Sequence, residues 1–256
     1  MYLPSFRLDD KVALVTGAGR GIGRALAIGL AEAGSDVAIL ARTMEDLEKV
    51  AGEILKLGRK AYPLQANITQ RADVEAAVET VMDQAGKIDI LVNNAGMNIR
   101  SQALEVTDEE WDTIMNTNLK SAFLMSQVVA RRMKETGGGK ILNIASVGGA
   151  VALRTGVAYG ASKAALMHMT RILSTEWAKY GINVNSIGPW YFKTPLTEKL
   201  LNDPQYLGEI LDRTPLKRVG ELEDLVGPAV FLASDASNYV TGQVLLVDGG
   251  MSVYGF

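Results

Sequence analysis

Cysteine is absent from the 256 residues. Disulfide bridges and cysteine-ligated zinc are therefore excluded. Histidine is nearly as scarce, His168 being the single one. No metal site is expected, and a Ser-His-Asp triad would have to centre on His168 with no GxSxG elbow to supply its serine. No apolar run approaches the ~20 residues that cross a bilayer. The first ten residues lack a basic stretch followed by an apolar one, so no signal peptide is expected. That start and the missing cysteines fit a cytoplasmic protein. Strong charge of either sign is missing too. A net charge of −3 with scattered Lys and Arg leaves no basic face for nucleic acid.

What remains is an ordinary globular composition, 48% apolar and 21% charged. Such a chain can bury a sizeable core without metal or disulfide support. Val12 to Thr16 is a short apolar run ending in glycines and reads as a buried parallel strand. A helix follows from Arg24 to Ala33, closed by Gly34. The alternation continues with strands at Asp36–Ala41, Lys60–Gln65, Ile88–Val92, Lys140–Ile144, Asn183–Ile187 and Gln243–Val247. Thr43 and Asp46 form a weak capping box for one intervening helix, and Thr107 with Glu110 caps another. The latter runs past Asn118 towards Met133, with a break. Strands alternating with helices imply right-handed crossovers and one parallel sheet covered on both faces. No repeat or linker divides the chain, so residues 1–256 read as a single α/β domain. The irregular stretch is 189–215, with Pro195, Pro204 and Pro215 after Pro189, a candidate substrate lid with small helices.

The stretch Tyr159-Gly-Ala-Ser-Lys163 has no proline and no further glycine up to Thr170, so it can form one helix. Positions i and i+4 then share a face. A free phenol, with a pKa of about 10, exchanges protons poorly at neutral pH. A cation beside it stabilises the phenolate and lowers that pKa. The pair can then trade a proton with an alcohol or carbonyl oxygen. Taken alone, it reads as a surface Tyr and Lys that share a face by chance; the rest of the chain reverses that reading.

The first strand enters a glycine turn with the spacing G-x-x-x-G-x-G at Gly17, Gly21 and Gly23. This differs from G-x-G-x-x-G and from a P-loop, but a glycine turn between strand and helix still lets a pyrophosphate approach the helix N-terminus. At the end of the second strand, where an acid would bind the ribose of NAD, stand Ala41 and Arg42. A guanidinium suits a 2′-phosphate, which points to NADP(H) with NAD(H) still usable. The alternative for Arg42 is a solvated helix-start residue. Asn93-Asn-Ala-Gly96 ends strand four and is either a cofactor-facing turn or a plain polar one.

Together, Thr16-Gly17-x-x-x-Gly21-x-Gly23, Asn93-Asn-Ala-Gly96, Asn118, Ser146, Tyr159-x-x-x-Lys163 and Val247-Asp-Gly-Gly250 resemble the short-chain dehydrogenase/reductase family over nearly the whole chain. The resemblance implies a Rossmann-like, doubly wound parallel sheet of about seven strands and hydride transfer between a nicotinamide cofactor and an alcohol or ketone. It implies Tyr159 as general acid/base and Lys163 as the group that lowers its pKa and holds the nicotinamide ribose. Ser146 would bond the substrate oxygen, and Asn118 would hold a water leading from Lys163 to solvent. The dinucleotide would contact Gly17, Gly19, Arg20, Gly21, Ile22 and Gly23 at the first turn. It would meet Arg42, Asn67 and Ile68 at the adenosine end, and Asn94, Ala95 and Gly96 after strand four. Around the nicotinamide it would meet Tyr159, Lys163, Pro189 and Thr194.

Two positions depart from the family pattern. Asn67 replaces a common Asp, which an amide can serve as well. Trp190 follows Pro189 where glycine is usual, and an indole there would fill part of the pocket or alter the loop if the position needs φ > 0. Asn98-Ile-Arg100, Tyr191 to Leu196, Arg213 to Leu216 and Gly249-Gly-Met251 resemble the gluconate 5-dehydrogenase branch, which acts on sugar acids and polyols. Arg100 or Arg154 could then pair with a substrate carboxylate, or either is a surface arginine. A 3-oxoacyl-carrier-protein reductase or broad ketone reductase is the alternative of like chemistry. A nucleotide-binding regulator without turnover is the alternative of another class. The resemblance also implies a homotetramer, with His168 and Met169 near a subunit contact, although His168 by itself reads first as a hydrogen-bonded helix residue.

Overall fold

The structure, a computed structural model, describes residues 2–154 and 156–254. Residues 1, 155, 255 and 256 lie outside the described residues. Seven parallel strands form one sheet in the order β3-β2-β1-β4-β5-β6-β7. They are β1 (Val12–Thr16), β2 (Asp36–Ala41), β3 (Ala61–Gln65), β4 (Ile90–Asn93), β5 (Gly139–Ile144), β6 (Ile182–Pro189) and β7 (Val244–Val247). The order reverses between β1 and β4, which pair through Ala13–Ile90, Leu14–Leu91 and Val15–Val92. In open parallel sheets the crevice at such a reversal, outside the carboxyl ends, is where ligands sit.

The strands are unbroken apolar runs because both faces are covered. Side chains alternate between two cores. Ala13, Val15, Val37, Ile39, Ile90 and Val92 enter one, against α1 (Gly21–Glu32), α2 (Met44–Lys56) and α9 (Glu223–Ala233). Val12, Leu14, Ala38, Leu40 and Leu91 enter the other, against α3 (Arg71–Ala85), α5 (Ser121–Thr136) and α6 (Val157–Trp177). Burying one such side chain contributes about 1.5–3 kcal/mol, so the apolar face of each strand drives its docking.

Helix ends show where local signals held. Thr107 Oγ1 accepts from the Glu110 N–H at 3.2 Å and Glu110 Oε2 accepts from the Thr107 N–H at 3.4 Å, the reciprocal capping box that opens α4 (Asp108–Met115). At α2 the expected box is absent: the Thr43 side chain makes no cap bond. Asp46 lies instead against the glycine turn, so it is not free to reach back to Thr43. The break expected near Asn118 is a π-helical turn, Asn116–Lys120, between α4 and α5. The widened turn directs Asn118 inward, where it is 1% exposed. Within 189–215 stand the short helices α7 (Glu198–Leu201) and α8 (Pro204–Asp212). Among the described non-glycine residues only Asp10 and Lys217 have positive φ, so Trp190 sits without the backbone strain that an indole at a glycine position raised.

Candidate active site

A cleft of about 1220 Å³ runs along the carboxyl edge of the sheet. Its centre is the turn between β1 and α1. Helix α1 starts with no side-chain cap at Arg20 and no acid in its first turn. Its first N–H groups and positive dipole end are therefore available to an anion. The turn fits tightly. A Cβ at Gly23 would lie 2.2 Å from the Gly17 carbonyl oxygen and 2.4 Å from Asn94 Nδ2. Asn94 fixes the turn from β4, its Nδ2 donating to the carbonyls of Thr16 and Gly17 at 3.0 and 3.2 Å. Thr16 Oγ1 accepts from the backbone of Asn94 and Ala95 at 3.0 and 3.1 Å. Beside Gly21 the cleft stays open: a Cβ there would still be 3.6 Å from Pro195 and 3.7 Å from Thr194. A glycine-lined cradle with unpartnered helix N–H groups fits a pyrophosphate.

At one end the cleft is lined by Arg20, Arg42, Thr43, Asp46, Asn67 and Ile68. Ala41 closes β2 without a carboxylate. Asn67 Oδ1 accepts from the Thr69 hydroxyl at 2.9 Å and from its N–H at 3.2 Å, which shapes the loop into α3.

At the other end, β5 delivers Ser146 and α6 presents Tyr159 and Lys163 to the same cleft. Ser146 Oγ accepts from the Gly148 N–H at 3.1 Å. Lys163 is 4% exposed, and its Nζ donates to the Ile144 carbonyl at 2.7 Å. Burial lowers its pKa to about 8. Burial also pushes the Tyr159 phenol up, while the Ser146 hydroxyl and the positive charge of Arg100 act in the opposite sense. The expected lowering of the phenol by Lys163 is thus not what dominates here. Lys163 Nζ stands 5.8 Å from the centre of the Tyr159 ring and gives one of its hydrogen bonds to a carbonyl. Asn118 braces this end. Its Oδ1 accepts from the Met97 N–H at 2.8 Å, and its Nδ2 donates to the Met97 carbonyl at 2.9 Å and to Ser162 Oγ at 3.1 Å. Both ends of the amide are engaged, so the relay water expected at Asn118 would have to share these contacts. A Cβ at Gly96 would stand 3.2 Å from Asn118 Oδ1 and 3.5 Å from Lys163 Nζ, so glycine there leaves the space between them.

The mouth over Tyr159 is aromatic. Trp190 and Tyr191 meet edge to face at 4.6 Å, and Trp190 Nε1 donates to Thr214 Oγ1 at 3.2 Å. The Tyr191 and Tyr206 hydroxyls lie 2.6 Å apart. Burial, then this hydrogen bond, holds the Tyr191 phenol up at about 12, with Arg100 opposing. Arg100, Asn98 and Trp190 all line the cleft. Arg154 does not. Its guanidinium pairs with Glu209 of α8 and lies 5.9 Å over the Tyr206 ring. The carboxylate role expected of Arg154 or Arg100 thus finds only Arg100 among the cleft-lining residues, while Arg154 is paired with Glu209 of α8.

A model of the family described as enoyl-(acyl carrier protein) reductase matches residues 17–252. The 2-dehydro-3-deoxy-D-gluconate 5-dehydrogenase of Dickeya dadantii (strain 3937) is 46% identical over 256 residues, 98% of each chain. This chain belongs to the short-chain dehydrogenase/reductase family. The gluconate 5-dehydrogenase of Gluconobacter oxydans (strain 621H) is 42% identical over 97% of each chain. Among solved structures, a gluconate 5-dehydrogenase from Burkholderia cenocepacia J2315 in complex with NADP and tartrate superposes with a TM-score of 0.95. It is 40% identical, and the match covers 99% of this chain and 100% of that one. As a member of the family the chain is an oxidoreductase that acts on alcohol groups.

The residues expected to form a short-chain dehydrogenase site converge, except Arg154, on this one cleft or its wall. Three residues at or beside the cleft carry no sequence signal for that place. Asp46 had been given to a helix cap. Asn98, whose buried Oδ1 has no partner among the described residues, stands in the sequence only as part of a branch motif. Tyr206 sits in α8, and no local pattern announces that a lid helix will reach Tyr191.

Proposed function

We propose that this protein interconverts a secondary alcohol and a ketone on a sugar acid with NADP(H), as a gluconate 5-dehydrogenase does. One observation carries the substrate class. The Arg100 guanidinium stands in the cleft close enough to Tyr159 and Tyr191 to oppose the rise of both phenols. A cation beside the proton donor suits a substrate with a carboxylate. The sugar-acid names of the relatives support the same reading.

The bound nicotinamide supplies or takes up the hydride. The chain does the rest. The glycine turn and the start of α1 hold the pyrophosphate, and Arg42 with Arg20 receives a 2′-phosphate. Gly19, Ile22, Asn67, Ile68, Ala95, Pro189 and Thr194 line the cofactor's path. Ser146 donates to the substrate oxygen, and Tyr159 passes its proton to that oxygen during reduction. Lys163, charged below a pKa of about 8, stabilises the phenolate left behind. Asn118 is the brace that keeps Met97 and α6 in register and the candidate holder of a relay water. Trp190 narrows the mouth, and 189–215 is its lid.

The assembly we propose is a homotetramer. An apolar groove of about 490 Å³ between the Met115–Phe123 stretch and α6, lined by Leu119, His168, Met169 and Ile172, is its contact surface. No helix among the described residues is long and apolar enough to cross a membrane. Use of a dissociable nicotinamide cofactor fits the cytoplasm.

The test is NADPH oxidation with 5-keto-D-gluconate beside acetoacetyl thioesters and simple ketones. Sugar-acid ketones are expected to be the best substrates. Tyr159→Phe is expected to lose about 10²–10⁴-fold in kcat while NADPH still binds. Binding of NADPH with no ketone reduced would overturn the reading, and a preference for thioesters would replace it with the acyl-carrier reductase.

A further inference from the structure

Ala41 ends β2 where an acid would hold a ribose, yet a carboxylate still reaches that place from another element. A Cβ built at Gly19 would lie 3.0 Å from Asp46 Cβ, 3.7 Å from Asp46 Oδ2 and 3.7 Å from Ala41 Cβ. Asp46 of α2 therefore folds against the turn and flanks the same point as the last residue of β2. Only a glycine at 19 leaves it that room. The residue lines the cleft together with Arg42 and Thr43. Its neighbour Glu45 is spent on Lys49 at 2.7 Å, whereas Asp46 forms no salt bridge among the described residues and acts on Lys49 only from farther off. One subsite thus carries two opposed charges: Arg42 suits a 2′-phosphate, and Asp46 suits a free 2′-hydroxyl.

We infer that Asp46 is a specificity-determining residue of the dinucleotide site. It repels the 2′-phosphate, accepts from the 2′-hydroxyl, and so holds the preference for NADP(H) over NAD(H) to a small ratio. The inference rests on the reading that Arg42 receives the 2′-phosphate. Its physical basis is Coulombic: like charges a few ångströms apart in a solvent-open cleft repel weakly, and salt screens them.

Equilibrium binding of NADP⁺ and NAD⁺ to the intact protein, without substrate, tests it. Asp46→Asn keeps the shape and removes the charge. The ratio of the NAD⁺ Kd to the NADP⁺ Kd is expected to rise about fivefold at low ionic strength, and the gain to shrink towards 1 M salt. Glu45→Gln, which removes an acid of the same helix turn outside the cleft, is expected to leave the ratio in place. An Asp46→Asn ratio within about twofold of wild type, or lower than it, overturns the inference. So does an equal rise in Glu45→Gln, which would assign the effect to net charge. Arg42→Ala is measured alongside: if it leaves NADP⁺ binding intact, the phosphate reading fails, and Asp46 is still judged on its own ratio.

Discussion

The Lys163 ammonium is tied to the carbonyl of Ile144, at 2.7 Å, rather than to the phenol one helical turn before it. The lysine of α6 is thereby anchored to the end of β5, the strand that also leads to Ser146. Anchoring places the cation within the site and leaves its remaining protons for cofactor and water. It also keeps a charge where burial disfavours it, and this has a measurable cost.

Lys163 has its folded pKa lowered to about 8 from the ordinary 10.5. A base depressed in this way binds fewer protons folded than unfolded between those values, so its contribution to stability rises with pH from about 8 to 10.5. Below that window it is destabilising by about 3 kcal/mol, at 1.36 kcal/mol per pKa unit. Denaturant unfolding of wild type and Lys163→Met across pH 7–11 is expected to show the difference narrowing as pH rises. Reductase activity is expected to fall above pH about 8 as the cation is lost.

Cofactor choice is expected to follow the charge after β2. Placing Asp at Ala41 and removing Arg42 should move the kcat/KM preference towards NAD(H) by about tenfold or more. Kinetics with both cofactors, each at several concentrations, provide the check. An unchanged preference for NADP(H) would remove Arg42 from the phosphate site.

The two arginines first considered for a substrate carboxylate should separate. Arg100→Ala is expected to raise KM for 5-keto-D-gluconate about tenfold with little change for an uncharged ketone. Arg154→Ala should leave that charge discrimination in place, since its partner is Glu209. Its effect should be on α8, read as faster proteolysis there.

The groove beside His168 should hold a neighbouring subunit. Ile172 is 45% exposed on α6, and Glu in its place would put a charge into an apolar contact. Light scattering is expected to report a tetramer for the wild type and smaller species for Ile172→Glu. A wild-type monomer at micromolar concentration would rule out the assembly.

Much of this molecule is written in short-range patterns. The run Val12 to Thr16 reads as a strand buried on both faces and is one, and Thr107 with Glu110 announces a helix start that forms as expected. The order of the glycine turn, Asn94, Ser146, Tyr159 and Lys163 is legible because the first three follow the carboxyl ends of β1, β4 and β5, and the last two share a face in the opening turns of α6. What escaped is tertiary. The strength of burial at Tyr159 and Lys163 depends on packing that no spacing encodes. Arg154 looked free until α8 brought Glu209 to it, and Asp46 looked like a capping residue until Gly19 gave it somewhere else to go. Trp190 looked like a strain and is none, because its backbone has ordinary φ and its indole N–H finds Thr214.

The glycine turn follows β1 in sequence, but it is set by Asn94 and Ala95, which hold Thr16 and Gly17 from the far side of the β1–β4 seam. The ribosome must therefore release β4 and the residues just after it before the phosphate cradle can take its shape. A nascent chain halted ahead of that point would carry every glycine of the motif and still have no grip on a nucleotide.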